Sequence, residues 1–281
     1  MLTSRPLPHA MLIKRKSIEA EANFRSGPRA AAPKSPRKVK FAPVTLSEFD
    51  GVRYLHFGTE WVQGAMRLRK PDWLELEYAQ QMMAWMLFIS EPKQLLQLGL
   101  GTGAMTKFCY RQFEQASVTA IDLNPAVIMI CESMFKLPPN DERLNVIEMD
   151  AMAFVADTTH HKKFDSIQVD LYDATARGPV LDSAEFYQAC ADCLLDDGIL
   201  TVNLFGDHPS FARNIKAMRF VFDTVLCLPE VHDGNVVAIG FKSRIKLDFI
   251  ALYERAKQIK ESTKLPAKSW VDGLKIADTP R

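Results

Sequence analysis

Three aspartates and one glycine-rich turn are the parts of this 281-residue chain best suited to chemistry. Gly99, Gly101 and Gly103 follow the apolar run Leu95–Leu98, and Asp122 closes the next apolar run, Val118–Ile121. Glycines let a backbone turn tightly and approach a ligand closely. A helix starting near Gly103 would aim its unpaired N–H groups at that ligand. A carboxylate at the end of the second strand can accept hydrogen bonds from both hydroxyls of a ribose. Strand, glycine turn, helix, strand, acid is the layout of a nucleoside site in a doubly wound sheet. Asp150 and Asp170 end two further apolar runs, Leu144–Met149 and Phe164–Val169. A lone acid in such a place is usually a turn residue or a helix cap. Three at successive strand ends point to the carboxyl edge where open sheets bind ligands. Asp122 suits the ribose; Asp150, with Ala151 beside it, suits the amino group of adenine.

The glycine spacing is G-x-G-x-G followed by Ala104, not G-x-G-x-x-G. That favours an adenosyl-sulfonium ligand over a nicotinamide dinucleotide. The elements needed to hold these residues can be read around them. Val44–Leu46, Val52–Phe57 and Trp61–Leu68, with turns at Asp50-Gly51 and Gly58-Thr59, predict a small antiparallel sheet over residues 44–70. A helix is expected from Trp73 to Ile89, a second from Met105 to Phe113, and a third from Pro125 to about Phe135. Ala151–Ala156 reads as a short helix. Ser183 is placed to cap a helix to Leu195, after which Asp197-Gly198 should turn into the strand Ile199–Leu204. Pro209–Phe222 is expected as a helix, Val225–Leu228 and Asn235–Lys242 as a closing hairpin, and Lys246–Lys260 as a terminal amphipathic helix with a tail. Alternation of this kind predicts an α/β fold. It would be a doubly wound, mostly parallel, seven-stranded methyltransferase-type sheet over residues 71–243. The small β domain precedes it, and a helix with a tail, residues 244–281, follows.

The run from Asp170 adds a second motif. Asp170 and Asp173 form D-x-x-D, Gly178-Pro179 follows, and Glu185-Phe186-Tyr187 opens a helix. With Asp50-Gly51, Gln63 and Glu77-Tyr78 upstream, residues 45–242 resemble the spermidine synthase family of polyamine aminopropyltransferases. The resemblance implies transfer of a 3-aminopropyl group from decarboxylated S-adenosylmethionine to an amine such as putrescine. It implies Asp170 as the base that orients the amine, and Asp173, Tyr78 and Gln63 as substrate-binding residues. Gly99, Gly101, Thr102, Gly103, Asp122, Asp150 and Ala151 would hold the donor. A sulfonium is already a good leaving group, so no metal is called for. Several family positions differ. Thr102 stands where the family usually has an aspartate, Tyr78-Ala79-Gln80 replaces Y-H-E, and Ala174 replaces a proline. The uncharged Thr102 keeps open an S-adenosylmethionine-dependent methyltransferase, and the shared scaffold keeps open a non-catalytic nucleoside-binding relative.

Composition sets the remaining bounds. At 47% apolar and 25% charged residues, the chain has the balance of an ordinary globular protein. No apolar run approaches the ~20 residues of a membrane-spanning helix, and the first residues lack the apolar core of a secretory signal. The five cysteines, Cys109, Cys131, Cys190, Cys193 and Cys227, are scattered through apolar segments, as expected of reduced thiols in the cytoplasm. Cys190 and Cys193 make C-x-x-C without a second pair, which reads as structural rather than zinc-binding. The net charge of +1 conceals a basic leader, residues 1–43, rich in Pro, Ala, Arg and Lys. It is expected to be disordered apart from a transient helix over Ala10–Phe24, and a solvated leader is favoured over a nucleic-acid-binding arm. The resemblance also suggests a homodimer.

Overall fold

The computed structural model describes residues 41–172, 181–231 and 234–278. The leader lies outside these residues almost entirely, as do Asp173, Ala174 and Gly178-Pro179. The described residues from Pro43 onward form one compact unit.

Three strands come first: β1 Val44–Phe49, β2 Val52–Phe57 and β3 Gly64–Arg67. They pair antiparallel in the order β1-β2-β3. Asp50 and Gly51 both take positive φ, 48° and 72°, which makes the two-residue turn whose twist suits a hairpin. Leu55 and Met66 point inward and pack on Val127, Cys131 and Phe135 of the following sheet's helix layer.

The main sheet is built from β4 Gln94–Leu98, β5 Ser117–Asp122, β6 Leu144–Glu148, β7 Phe164–Val169, β8 Leu194–Phe205, β9 Thr224–Cys227 and β10 Asn235–Phe241. Its order is β6-β5-β4-β7-β8-β10-β9. The five strands from β6 to β8 run parallel, and β10 runs antiparallel to both its neighbours. This is the expected doubly wound, mostly parallel, seven-stranded sheet with a small antiparallel sheet before it. The chain leaves β4 toward β5 on one side and later returns to β7 on the other. That reversal opens a crevice at the carboxyl end of β4.

Helices cover both faces: α1 Glu77–Gln81, α2 Ala104–Gln112, α3 Pro125–Met134, α4 Ala151–Ala156, α5 Ala184–Cys193, α6 Ser210–Val221, α7 Phe249–Thr263 and α8 Ala267–Asp278. Leu95, Val118 and Val237 face α2, α7 and α8, whereas Leu96, Ile167 and Leu200 face α4, α5 and α6. Alternate residues of each strand thus bury against opposite layers.

Three segments differ from the sequence expectation. The helix expected over Trp73–Ile89 is a five-residue α-turn, α1, continued by a 3₁₀ helix, Met82–Leu87, all of it buried. Side chains from the sheet reach this segment: Gln168 Nε2 (3.2 Å) and Thr201 Oγ1 (3.3 Å) both donate to the Met82 carbonyl. The 3₁₀ helix lies between the sheet and helices α7 and α8, and its i→i+3 bonds make it narrower than an α-helix. Second, Asp197-Gly198 is not a turn ahead of a strand. Strand β8 begins at Leu194, straight after α5, and bulges between its pairings Phe164↔Leu194 and Ser166↔Ile199. A Cβ on Gly198 would stand 2.9 Å from the Phe164 carbonyl oxygen, so the bulge needs glycine. Third, the expected tail carries α8, which buries Trp270, Val271 and Leu274.

Candidate active site

The glycine turn follows β4 directly. Gly99, Gly101 and Gly103 have φ of 98°, 54° and 64°. Gly99 is needed for space as well. A Cβ there would lie 2.1 Å from the backbone oxygen of Asp170, because Asp170 N–H donates to the Leu98 carbonyl (2.8 Å) and brings the end of β7 against the loop. Asp122 organises the turn from the other side. Its carboxylate accepts from the backbone N–H of Leu100 (3.0 Å) and of Asn124 (2.8 Å). Burial raises its pKa, against the pull of those two donors.

Asp170 is the centre of a side-chain network. Tyr78, on α1, donates its hydroxyl to Oδ2 (3.2 Å), and Asn203, near the end of β8, donates Nδ2 to Oδ1 (2.9 Å). Asn235 Nδ2 donates in turn to Asn203 Oδ1 (2.9 Å), which sets the orientation of the Asn203 amide. Tyr172 donates its hydroxyl to the Asn203 carbonyl (3.1 Å). Burial pushes the Asp170 carboxyl up; the donors Asn203 and Tyr78 oppose it without reversing it. Both donors are neutral. The carboxylate is therefore oriented without being neutralised, as a base requires.

Asp170 and Tyr78 open into a cleft of about 320 Å³, mouth included. Gln63, Gly101, Thr102 and Glu75 also line it, and Leu76, Ala79, Leu100 and Met105 supply apolar wall. Thr102 is buried; its Oγ1 faces the Ala65 carbonyl at 3.4 Å, and a Cβ on Gly64 would come within 2.6 Å of its methyl. The small sheet is thus seated on the loop by a glycine. Below the cleft lies a buried polar seam, in which Gln97 donates to Gln168 (2.9 Å) and accepts from Thr106. Lys107, wholly buried on α2, donates Nζ to the Phe135 carbonyl (2.6 Å) at the C-terminus of α3. Burial lowers its pKa to about 8.

Of the residues singled out from sequence, the structure brings Gln63, Tyr78, Gly101, Thr102 and Asp170 to one cleft. Gly99, Gly103 and Asp122 stand behind it as the frame of the loop. Asp150 is exposed and caps α4, accepting from Ala153 N–H (2.8 Å), while Ala151 is buried within that helix. Asp173 lies outside the described residues. Asn203, Asn235, Glu75 and Lys107 were not legible as site residues. The one signal for Asn203 was its alternation with Thr201 inside the otherwise apolar run Ile199–Leu204.

Residues 75–226 match the spermine/spermidine synthase domain. The chain belongs to the spermine/spermidine synthase family. A polyamine aminopropyltransferase of Neisseria meningitidis is 32% identical over 246 residues, covering 86% of this chain and 93% of that one. Among solved structures, a probable spermidine synthase from Corynebacterium glutamicum aligns with a TM-score of 0.65 at 20% identity, over 84% of this chain and 90% of that one. A spermidine synthase in complex with the transition-state analogue AdoDATO aligns at 0.62 and 19%, over 84% and 85%. The chain is an enzyme of the polyamine aminopropyltransferase type. No helix among the described residues is long and apolar enough to cross a membrane. Among those residues no group of three or more His, Cys, Asp or Glu side chains could hold a metal ion.

Proposed function

We propose that this enzyme transfers a 3-aminopropyl group from decarboxylated S-adenosylmethionine to a primary amine, with putrescine the first candidate. One observation carries the reading: Asp170, raised in pKa and held by Tyr78 and Asn203, lines one cleft with the glycine loop. In the reaction the amine nitrogen attacks the aminopropyl carbon next to sulfur. The C–N bond forms as the C–S bond breaks, the sulfonium electrons return to sulfur, and methylthioadenosine leaves. The nitrogen must arrive neutral, although an alkylamine has a pKa near ~10. Asp170 takes that proton, Tyr78 keeps the carboxylate aimed, and in-line placement supplies much of the rate. Asp122 serves the ribose while bracing the loop, Asp150 and Ala151 serve the adenine, and Asp173 and Gln63 assist in binding substrate. A cytoplasmic homodimer belongs to this reading. Five free thiols, four of them buried, accord with a reducing compartment, and exposed Phe49 and Trp61 offer apolar surface on the small sheet.

The test is calorimetric binding of decarboxylated S-adenosylmethionine beside S-adenosylmethionine, followed by methylthioadenosine release in the presence of putrescine. Preference for the decarboxylated donor, with release, is expected. The buried, uncharged Thr102 favours one other reading, methyl transfer. Preference for S-adenosylmethionine with no methylthioadenosine formed would replace the first reading by it. Binding of neither by folded protein would sink both.

A further inference from the structure

We propose that Glu75 is the ammonium anchor of the cleft, held in place by Arg67. Resting on the aminopropyl-transfer reading, this assigns the charged end of an aminoalkyl ligand to a second carboxylate.

Two acids line the cleft, Asp170 and Glu75, and among the described residues no Lys, Arg or His lines it. Asp170 already accepts from Tyr78 and Asn203, one donor on each oxygen. Glu75 is held from one side by the Arg67 guanidinium, whose Nε donates to Oε2 (2.9 Å) while a terminal nitrogen donates to Oε1. Such a fork uses one lone pair on each oxygen and leaves the others for a further donor. The pair is turned inward: 16% of the Glu75 side chain is exposed against 40% of that of Arg67. The acid therefore faces the cleft and the guanidinium lies behind it. Leu76, Ala79, Leu100 and Met105 line the remaining wall with apolar groups. Apolar wall with a fixed carboxylate suits a short methylene chain ending in a primary ammonium. Two such ends exist in the reaction, the aminopropyl arm of the donor and the far nitrogen of a diamine acceptor. The bland alternative is that Glu75 only ties Arg67 of β3 to the segment leading into α1.

Calorimetry with Glu75→Gln and with the double variant Arg67→Met/Glu75→Gln separates these cases. Each ammonium ligand is paired with a form lacking that ammonium: decarboxylated S-adenosylmethionine with methylthioadenosine, and putrescine with butylamine. The expected result is a ten- to hundredfold weakening of one ammonium-bearing ligand, with its counterpart within about twofold of wild type. Loss on the donor assigns Glu75 to the aminopropyl arm; loss on putrescine assigns it to the acceptor. The double variant should show the same selective loss, since no unpaired guanidinium remains to disturb the cleft. Equal weakening of both members of a pair, no weakening, or recovery in the double variant would overturn the anchor and leave the transferase reading standing. Wild-type protein that binds neither nucleoside would overturn both.

Discussion

Lys107 offers a test of the packing around the glycine loop that needs no substrate. Its ammonium is buried and meets the Phe135 carbonyl, and burial takes its pKa from 10.5 to about 8. At about 1.36 kcal/mol per pH unit, the fall makes the charged form roughly 3 kcal/mol less favourable inside the fold than in the unfolded chain. The sign follows from proton counting. Between pH 8 and about 10.5 the unfolded chain binds the proton that the native state has lost, so stability rises with pH across that window. Below pH 8 both states are charged and the full cost is present. Lys107→Met removes the cost but leaves the Phe135 carbonyl without its donor, a loss of about 1–3 kcal/mol. At pH 7 the variant should therefore be equal to wild type or up to ~2 kcal/mol more stable. The clean readout is the difference between the two proteins in urea unfolding at pH 7 and at pH 11, where other titrations cancel. Wild type should gain roughly 3 kcal/mol on the variant between those points. A difference that stays flat would refute a buried, depressed lysine at this position.

Asp170→Asn should lower aminopropyl transfer by about 10²–10⁴-fold while nucleoside binding persists; unchanged turnover would remove Asp170 from the mechanism. Because burial raises the Asp170 pKa, the acid costs stability as pH climbs through that value, so the variant should melt no lower than wild type at pH 7. Asn203→Leu deletes a donor that holds the Asp170 pKa down, and the acid limb of the rate profile should move to higher pH with kcat reduced about tenfold; an unmoved limb would separate Asn203 from the acid. Gly99→Ala places a methyl against the Asp170 backbone at a positive φ and should cost on the order of 3 kcal/mol in unfolding free energy; wild-type stability would disprove the close approach.

Much of the frame was legible because its signals are local. Ala151–Ala156 and Phe164–Val169 fall where periodicity put them, and the glycine turn announced its own geometry. The misread segments depend on distant partners. The 3₁₀ stretch is gripped by Gln168 and Thr201, 86 and 119 residues away from Met82. Nothing local in the sequence marks Lys107 as buried; its partner, the Phe135 carbonyl, lies 28 residues further on. Helix α8 did leave a signal, since Pro266 precedes Trp270, Val271 and Leu274 at helical spacing. Asp150 was legible as a strand-end acid; that one of its oxygens also caps α4 shows only in the structure. Glu75 gave no sign, because its role depends on which way an arginine pair faces.

The order in which β10 joins the sheet bears on how the enzyme comes into being. Tyr78 and Asp170 are 92 residues apart in sequence, and Asn203 and Asp170 are 33 apart. Asn235, which orients Asn203, lies on the last strand to be made, and that strand inserts between β8 and β9. Contacts of such long range form slowly, because loop closure precedes any gain from pairing. The first half of the chain can assemble the glycine loop on β4, β5 and β6 as it leaves the ribosome. Asn203, which holds the acid, cannot be oriented by Asn235 until residue 241 has emerged and β10 has entered the sheet. Nucleoside affinity and chemical competence should therefore arise at different times during synthesis, with the chemistry appearing last.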